Sequence, residues 1–259
     1  MEKINNKWIK TPFGRFGFIW TKDKGEAQLF SNRRFLTNLT AIHKNAKGDI
    51  LGVRDLGSGL ITNCGVNQLA HDYTWAANSQ TLKLQNNHAS GTGTTAAAVG
   101  DVALQTANGT TATAGTQSVV EPNIYKTLAT IAYTATLAIT EWGLVLATTL
   151  SGASGSTGTS TATGATTLTD TGQAWATNTW AGYTVTTGTV MSLILSNTAT
   201  VLTLALWVTP STNVTASTPA TGAYVIRPTM LDHRVFSAIN VNTGDSIQFN
   251  YQSTQNSGG

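Results

Sequence analysis

After Asp245 the chain alternates with a period of two: Ile247, Phe249 and Tyr251 fall on one side, and Ser246, Gln248, Asn250 and Gln252 on the other. Only an extended strand, half-buried on a sheet, sorts its residues in this way. The five residues before it, Val-Asn-Thr-Gly-Asp at 241–245, carry turn chemistry, and residues 231–239 read as a second strand, so the pair predicts a closing β-hairpin. The strand at 231–239 finds its natural partner in the run around Glu141-Trp142-Gly143-Leu144, within 139–146. Connections between such neighbours are normally short, so the roughly 80 residues in between read as an inserted unit.

The rest of the chain extends the β pattern. In 124–139, Tyr125, Ile131, Tyr133, Leu137 and Ile139 occupy odd positions against Ile124 and Leu128 at even ones, which predicts one long central strand of a sandwich. Phe16, Phe18 and Trp20 share a face at spacing two and lead into a Lys22-Asp23-Lys24-Gly25 turn, a hairpin with an aromatic face. After a Gly57-Ser58-Gly59 hinge, a helix is expected at 65–73, capped by Thr62 or Asn63, with Val66, Leu69, Ala70 and Tyr73 as its apolar stripe. Residues 82–88 read as a strand and 97–104 are compatible with a helix.

Between 151 and 228, a Gly/Ser/Thr linker through Gly164 precedes short β-runs at 166–169, 183–187, 190–195, 200–206 and 223–226, with Trp175, Trp180, Tyr183 and Trp207 as their candidate core. The fold class is therefore all-β: a mainly antiparallel sandwich with one or two short helices, carrying an inserted small β-barrel or sandwich domain. The divisions are a basic, aromatic N-terminal arm at 1–56, a discontinuous core of 57–150 and 229–259, and a Thr-rich domain at 151–228 raised on a flexible stalk.

Charge narrows the function classes. Charged residues make up 10% of the chain, against about 25% in an ordinary globular protein. Enzymes and nucleic-acid binders seldom look so uncharged, whereas fibre, virion and extracellular proteins cover β-surfaces with Thr and Ser instead of ions. The net charge of +3 is uneven: residues 1–56 hold eleven of the 15 Lys and Arg but five of the 12 acids. A basic arm on a near-neutral body suits docking to an acidic partner, beside the plainer reading of a solvated, Lys-decorated surface. Basic and aromatic interleaving also occurs where single-stranded nucleic acid stacks, but a sheet that uses its aromatics as core is commoner, so nucleic acid is not the expected partner. Residues 1–10 have no apolar core of a signal peptide and no run is long enough to span a membrane, which fits synthesis in a bacterial cytoplasm without export.

No constellation for catalysis, cofactor or metal stands out. The single cysteine, Cys64, allows no internal disulfide or Cys-based zinc site and reads as a small buried apolar residue. Gly91-Thr92-Gly93-Thr94-Thr95-Ala96 spells G-x-G-x-x-A, yet no acid follows about twenty residues on to hold a ribose, so a dinucleotide role is rejected. His43, His71, His88 and His233 are scattered, and His71-Asp72 reads as surface decoration. Asp232, His233 and Arg234 are consecutive on a strand and point to alternate faces, so they form no local dyad. Any two carboxylates, Glu121 and Glu141 for instance, could formally serve glycoside chemistry, but the acids are few and none is clustered.

Two stretches carry a family resemblance. Thr140-Glu141-Trp142-Gly143-Leu144, and the downstream run from Arg234-Val235-Phe236 through Gly244-Asp245-Ser246-Ile247-Gln248-Phe249-Asn250-Tyr251, resemble a recurrent β-module of tailed-bacteriophage virion proteins. There a "T-E-x-G-L" strand is followed by a hairpin. Gly57 to Asn63 and Gly91 to Ala96 look like further pieces of the same family. The resemblance covers about 1–150 and 229–252. It implies a non-enzymatic virion protein, assembled in the host cytoplasm, that forms homo-oligomers (trimers are common in such proteins) and binds the major capsid protein or other virion proteins. As a capsid decoration or cement protein it would dock through the core and the arm, with Arg15, Phe16, Phe18, Trp20, Arg33 and Arg34 as contacts, and display 151–228. As a tail-fibre, baseplate or receptor-binding protein it would touch a host glycan with Trp175, Trp180 and Trp207; the plainer reading of these three is core.

Overall fold

The computed structural model describes residues 7–11, 14–20, 27–30, 34–72, 85–121 and 123–256. In chain order their strands are β1 (Lys7–Thr11), β2 (Gly14–Trp20), β3 (Ala27–Phe30), β4 (Arg34–Lys44), β5 (Ile50–Gly57) and β6 (Leu60–Ile61), followed by the helix α1 (Asn63–Asp72). Next come β7 (Asn87–Gly91), β8 (Thr113–Ala114), β9 (Thr116–Glu121), β10 (Ile124–Ala132) and β11 (Leu137–Val145). The middle segment supplies β12 (Thr157–Thr159), β13 (Ala162–Gly164), β14 (Thr167–Thr169), β15 (Thr184–Thr187), β16 (Val190–Asn197), β17 (Val201–Leu204) and β18 (Ala223–Arg227), and the chain ends with β19 (Met230–Val241) and β20 (Ser246–Asn256). The fold is an all-β antiparallel sandwich.

Two five-stranded sheets, ordered β5-β4-β20-β10-β9 and β6-β19-β11-β7-β8, face each other across one core. Leu39, Ala41, Ile247, Phe249 and Tyr251 come from the first sheet, and Ile139, Trp142, Leu144, Leu231 and Val241 from the second. Trp142 is fully buried at the centre, stacked on Tyr251 with ring centroids 5.5 Å apart and leaning on Phe249 at 6.3 Å. Burying side chains of this size contributes about 1.5–3 kcal/mol each, so these aromatics are the main cohesive term between the sheets.

The strand at 231–239 does pair antiparallel with the run at 141–144, Glu141 opposite Val235 and Leu144 opposite Asp232. The expected closing hairpin is absent. β19 pairs with β11 and β6, while β20 pairs with β4 and β10, so the turn at 242–245 carries the chain from one sheet to the other. The expected single strand at 124–139 also divides, with β10 in one sheet and β11 in the other. The two crossings brace each other: the Tyr133 N–H donates to the Asp245 carbonyl at 2.9 Å, and the Gly244 N–H to the Tyr133 carbonyl at 2.8 Å. Gly244 takes φ +90°, the left-handed conformation that this tight crossing needs.

The boundary drawn at 56 on charge falls inside a sheet. β4 pairs with β20 from Arg34 opposite Asn256 to Lys44 opposite Ser246, and β5 is the edge strand beside it. Charge reports the outer face of a strand and not the unit to which the strand belongs. β1, β2 and β3 form a separate three-stranded sheet.

α1 begins two residues earlier than expected, with the Thr62 hydroxyl accepting from the Gly65 N–H at 3.1 Å as its N-cap. Its buried face is Cys64, Gly65 and Gln68, with Leu69 half-buried; Val66 and Ala70 are exposed, and Tyr73 lies outside the described residues. Small residues win that face because the helix lies directly on the Leu231 backbone. Residues 97–104 form no helix; they belong to an irregular stretch that crosses the outer face of the second sheet.

Residues 157–227 build one seven-stranded antiparallel sheet, β12-β18-β15-β16-β17-β14-β13, that curls around its own cluster of Leu168, Val185, Ile194, Leu202, Tyr224 and the three tryptophans. β12 and β13 lie within the stretch read as linker. The unit does not stand off on a stalk. Met191 and Val208 join Cys64, Val145 and Met230 in a shared apolar cluster. The Asn63 amide donates to the Pro210 carbonyl at 2.7 Å, and the Asn67 and Asn213 amides bond each other at 2.9 and 3.0 Å.

Because Val145 lies opposite Met230, the ends of the 146–229 excursion are already adjacent. A chain in which 151–228 is replaced by a short turn should therefore keep a cooperative unfolding transition and a β-type circular dichroism spectrum. It should lose about 3 kcal/mol from the uncovered Cys64–Met230 surface. A featureless, non-cooperative melt of that deletion would contradict the pairing as the source of closure.

Candidate functional site

Alternation along β11 and β19 sends Trp142, Leu144 and Asp232 into the sandwich and Glu141 and His233 to the outer face. There the irregular stretch that follows β7 folds over them. The Glu141 carboxylate accepts backbone N–H bonds from Gly93 (3.2 Å), Gln105 (2.5 Å) and Thr106 (3.2 Å). His233 Nε2 lies 3.0 Å from Glu141 Oε1, and His233 Nδ1 lies 2.7 Å from Asp101 Oδ2. Both ring nitrogens face carboxylates, which only accept, so the imidazole holds two protons and a positive charge. The His233 and Glu141 side chains are wholly buried, and the Asp101 side chain is 24% exposed.

The Gly-x-Gly motif has a steric role here. A β-carbon at position 93 would lie 2.6 Å from Glu141 Oε2, closer than atoms tolerate, so a glycine is needed for the backbone to reach the carboxylate. Burial alone would raise the pKa of Glu141, but the His233 bond and the Gln105 and Thr106 N–H groups outweigh it and hold the carboxyl low. Burial likewise would lower His233, and its bonds to Glu141 and Asp101 overcome that and raise it. The arrangement ties the 92–106 stretch to two central strands. With three backbone donors and His233 upon it, the Glu141 carboxylate is committed to that joint.

On the inner face Asp232 is fully buried, and neither of its oxygens has a donor at hydrogen-bond distance. Burial pushes its pKa up to about 6, with the Tyr251 and Thr37 hydroxyls, acting from beyond bonding range, pulling it part-way back. Gly59 leaves the space that Asp232 fills; any β-carbon there would collide with the carboxylate. His88, also buried, accepts from Trp142 Nε1 at Nδ1 (3.2 Å) and so donates from Nε2 to the Thr127 hydroxyl (3.2 Å). Burial lowers its pKa to about 3 and keeps it neutral.

The residues singled out from sequence fare differently. Arg15, Phe16, Phe18 and Trp20 lie on β2 and Arg34 begins β4, where the backbone alone is described; Arg33 is outside the described residues. The β1–β2–β3 register puts positions 7, 9, 16, 18, 20, 27 and 29 on one face and positions 8, 10, 15, 19, 28 and 30 on the other. Trp175, Trp180 and Trp207 are 7%, 4% and 1% exposed, so no ring face is open to a sugar. The indole N–H groups of Trp175 and Trp207 are bonded to the Gly155 and Gly164 carbonyls, both at 2.9 Å. These three are core, as the plainer reading had it, and the glycan assignment is withdrawn. Cys64 is buried against the Met230 carbonyl, and desolvation raises its thiol pKa, the opposite of an activated nucleophile.

The Asp101–His233–Glu141 joint escaped sequence reasoning because its members are 92 and 132 residues from the histidine. No local signal marked it, because the strand neighbour of a core-facing indole points to the face that water ordinarily covers. Among the described residues no group of three or more His, Cys, Asp or Glu is arranged to hold a metal ion. None of the protein-family models, curated proteins or solved structures compared matches the chain.

Two pH experiments follow from this geometry. The raised His233 stabilises the fold fully below its ordinary value of 6.5 and less as pH climbs through its folded value; the lowered Glu141 stabilises it above its ordinary 4.5 and less as pH falls through its folded value. The stability difference between wild type and His233→Gln, measured by denaturant titration, should therefore peak between about pH 4.5 and 6.5. Asp232 has the opposite sign: its raised pKa costs stability above about 6 and nothing below its ordinary 3.8. Asp232→Asn should gain about 2–4 kcal/mol relative to wild type between about pH 4 and pH 8. A flat difference would show that Asp232 is solvated.

Proposed function

We propose that this chain is a non-enzymatic structural protein of a tailed-bacteriophage virion, a capsid decoration protein that docks through its core and N-terminal sheet and displays residues 151–228. The observation that carries this reading is how the stretches resembling phage virion proteins meet. Glu141 of the T-E-x-G-L stretch accepts the Gly93 N–H of the Gly-x-Gly stretch. Asp232, two residues before the closing motif, fills the space left by Gly59 of the Gly-Ser-Gly stretch. Residues that look like scattered motifs are joints of one scaffold, which is what a family selected for assembly would keep.

The N-terminal sheet fits a docking role. Among the described residues its three strands pair with one another and with no other strand. A single layer of three short strands does not by itself make a core, so a sheet of this kind ordinarily packs against a partner surface. A neighbouring subunit or the major capsid protein supplies it, and copies of the chain associate around the capsid symmetry.

Quantitative mass spectrometry of purified virions tests the assignment. A decoration protein should be present on the order of hundreds of copies per particle, in proportion to the capsid lattice. A count of a few to dozens places it in the tail and overturns the capsid assignment; its absence from particles overturns the virion reading altogether. Removing residues 1–33 should abolish association with capsids while leaving the sandwich folded.

A further inference from the structure

Where the chain leaves the sandwich at 150–151 and returns at 227–228, it borders a partly open cavity of about 210 Å³. Val102, Leu104 and Ala107 from the irregular stretch, Val145 at the end of β11, and Leu150 and Pro228 from the two connections make apolar walls. Arg227 is the one charged residue lining it. Arg227 is half-buried, and among the described residues its guanidinium has a single polar partner, the Thr186 hydroxyl at 3.4 Å, which is too long to count for much. No acid is among the lining residues, and the nearest in sequence, Asp101, is already engaged by His233 and the Ala98 N–H. A half-buried guanidinium beside apolar walls, with no counter-charge among the lining residues, leaves its planar fork of donors able to match a carboxylate.

We propose that this junction cavity is a binding site for a carboxylate borne on a short apolar stem. The walls offer nothing to a sugar and no acid or aromatic face to a cation. One guanidinium satisfies a carboxylate, whereas a phosphate would leave oxygens unpaired. A cavity of about 150 Å³ takes benzene, so this volume holds about eight non-hydrogen atoms, the size of hexanoate. A free short-chain acid and the C-terminal residue of a peptide with an apolar side chain present the same chemistry. Because the walls come from both connections, occupancy also pins the 157–227 sheet to the sandwich. The inference stands independently of the virion reading.

Titration of the full chain with hexanoate, followed by calorimetry and by chemical-shift changes at Val102 to Ala107, tests it. Saturable binding with a rise in melting temperature is expected, with acetate and hexanamide each at least tenfold weaker. Arg227→Gln should lose at least tenfold in hexanoate affinity while its circular dichroism spectrum stays unchanged, and Arg227→Lys should recover part of that loss. A peptide ending in a free Leu carboxylate and its amidated form distinguish the sources: tighter binding of the free peptide than of hexanoate assigns the site to a chain terminus, and the reverse to a small acid. Absence of hexanoate binding, equal binding by Arg227→Gln, or equal binding of acetate would overturn the proposal.

Discussion

The pairing of β11 with β19 is the contact on which the molecule depends. One face of that two-stranded ribbon supplies Trp142 and Leu144 to the core, and the other holds Glu141 and His233 beneath the irregular stretch. The same ribbon carries the opening from which residues 146–229 depart. A disturbance of its register by one residue would exchange the two faces, placing a carboxylate in the aromatic core and an indole against the backbone of Gly93. Packing and electrostatics thus fix the same register, each from its own side.

Charge is scarce in this chain, and much of it is buried. At one joint the His233 imidazolium is shared by the Asp101 and Glu141 carboxylates, which leaves a net charge of about −1; Asp170, the sole formal charge of residues 151–226, accepts from the Tyr224 hydroxyl at 2.8 Å and from Gln173 and Gly172. Buried ion pairs add little net stability over apolar packing, but each fixes which strands may meet, because any other pairing strands a charge. In a sheet protein rich in interchangeable Thr and Ala positions, that discrimination is what a small number of charges can best provide.

How much of this was legible beforehand varied with the kind of signal. The pairing of 139–146 with 231–239 could be read because both are strand-like runs that flank the excursion, even though the second turns Asp232 to the inner face. The corners could not: Thr134-Ala135-Thr136 contains no Gly or Pro, and the chain bends there because Tyr133 is held by the opposite corner at Asp245. β12 and β13 were invisible among Gly, Ser and Thr, since hydrogen bonds to β18 and β14 and not side-chain burial make them strands. The helix face failed for a related reason: periodicity favours Val66, but contact with Leu231 demands residues as small as Cys64 and Gly65. The acid–histidine joint depends on long-range contacts that no local window contains.

The position of β20 has a consequence for the order in which the chain can fold. It lies between β4 and β10, and its pairing with β4 joins residues more than two hundred positions apart. As the chain emerges from the ribosome, β4, β5, β9 and β10 are all present while the strand that unites them is not. The seven strands of 157–227 are contiguous in sequence and can complete their own sheet in that interval. The core between the two sheets can therefore close only when its last strand arrives.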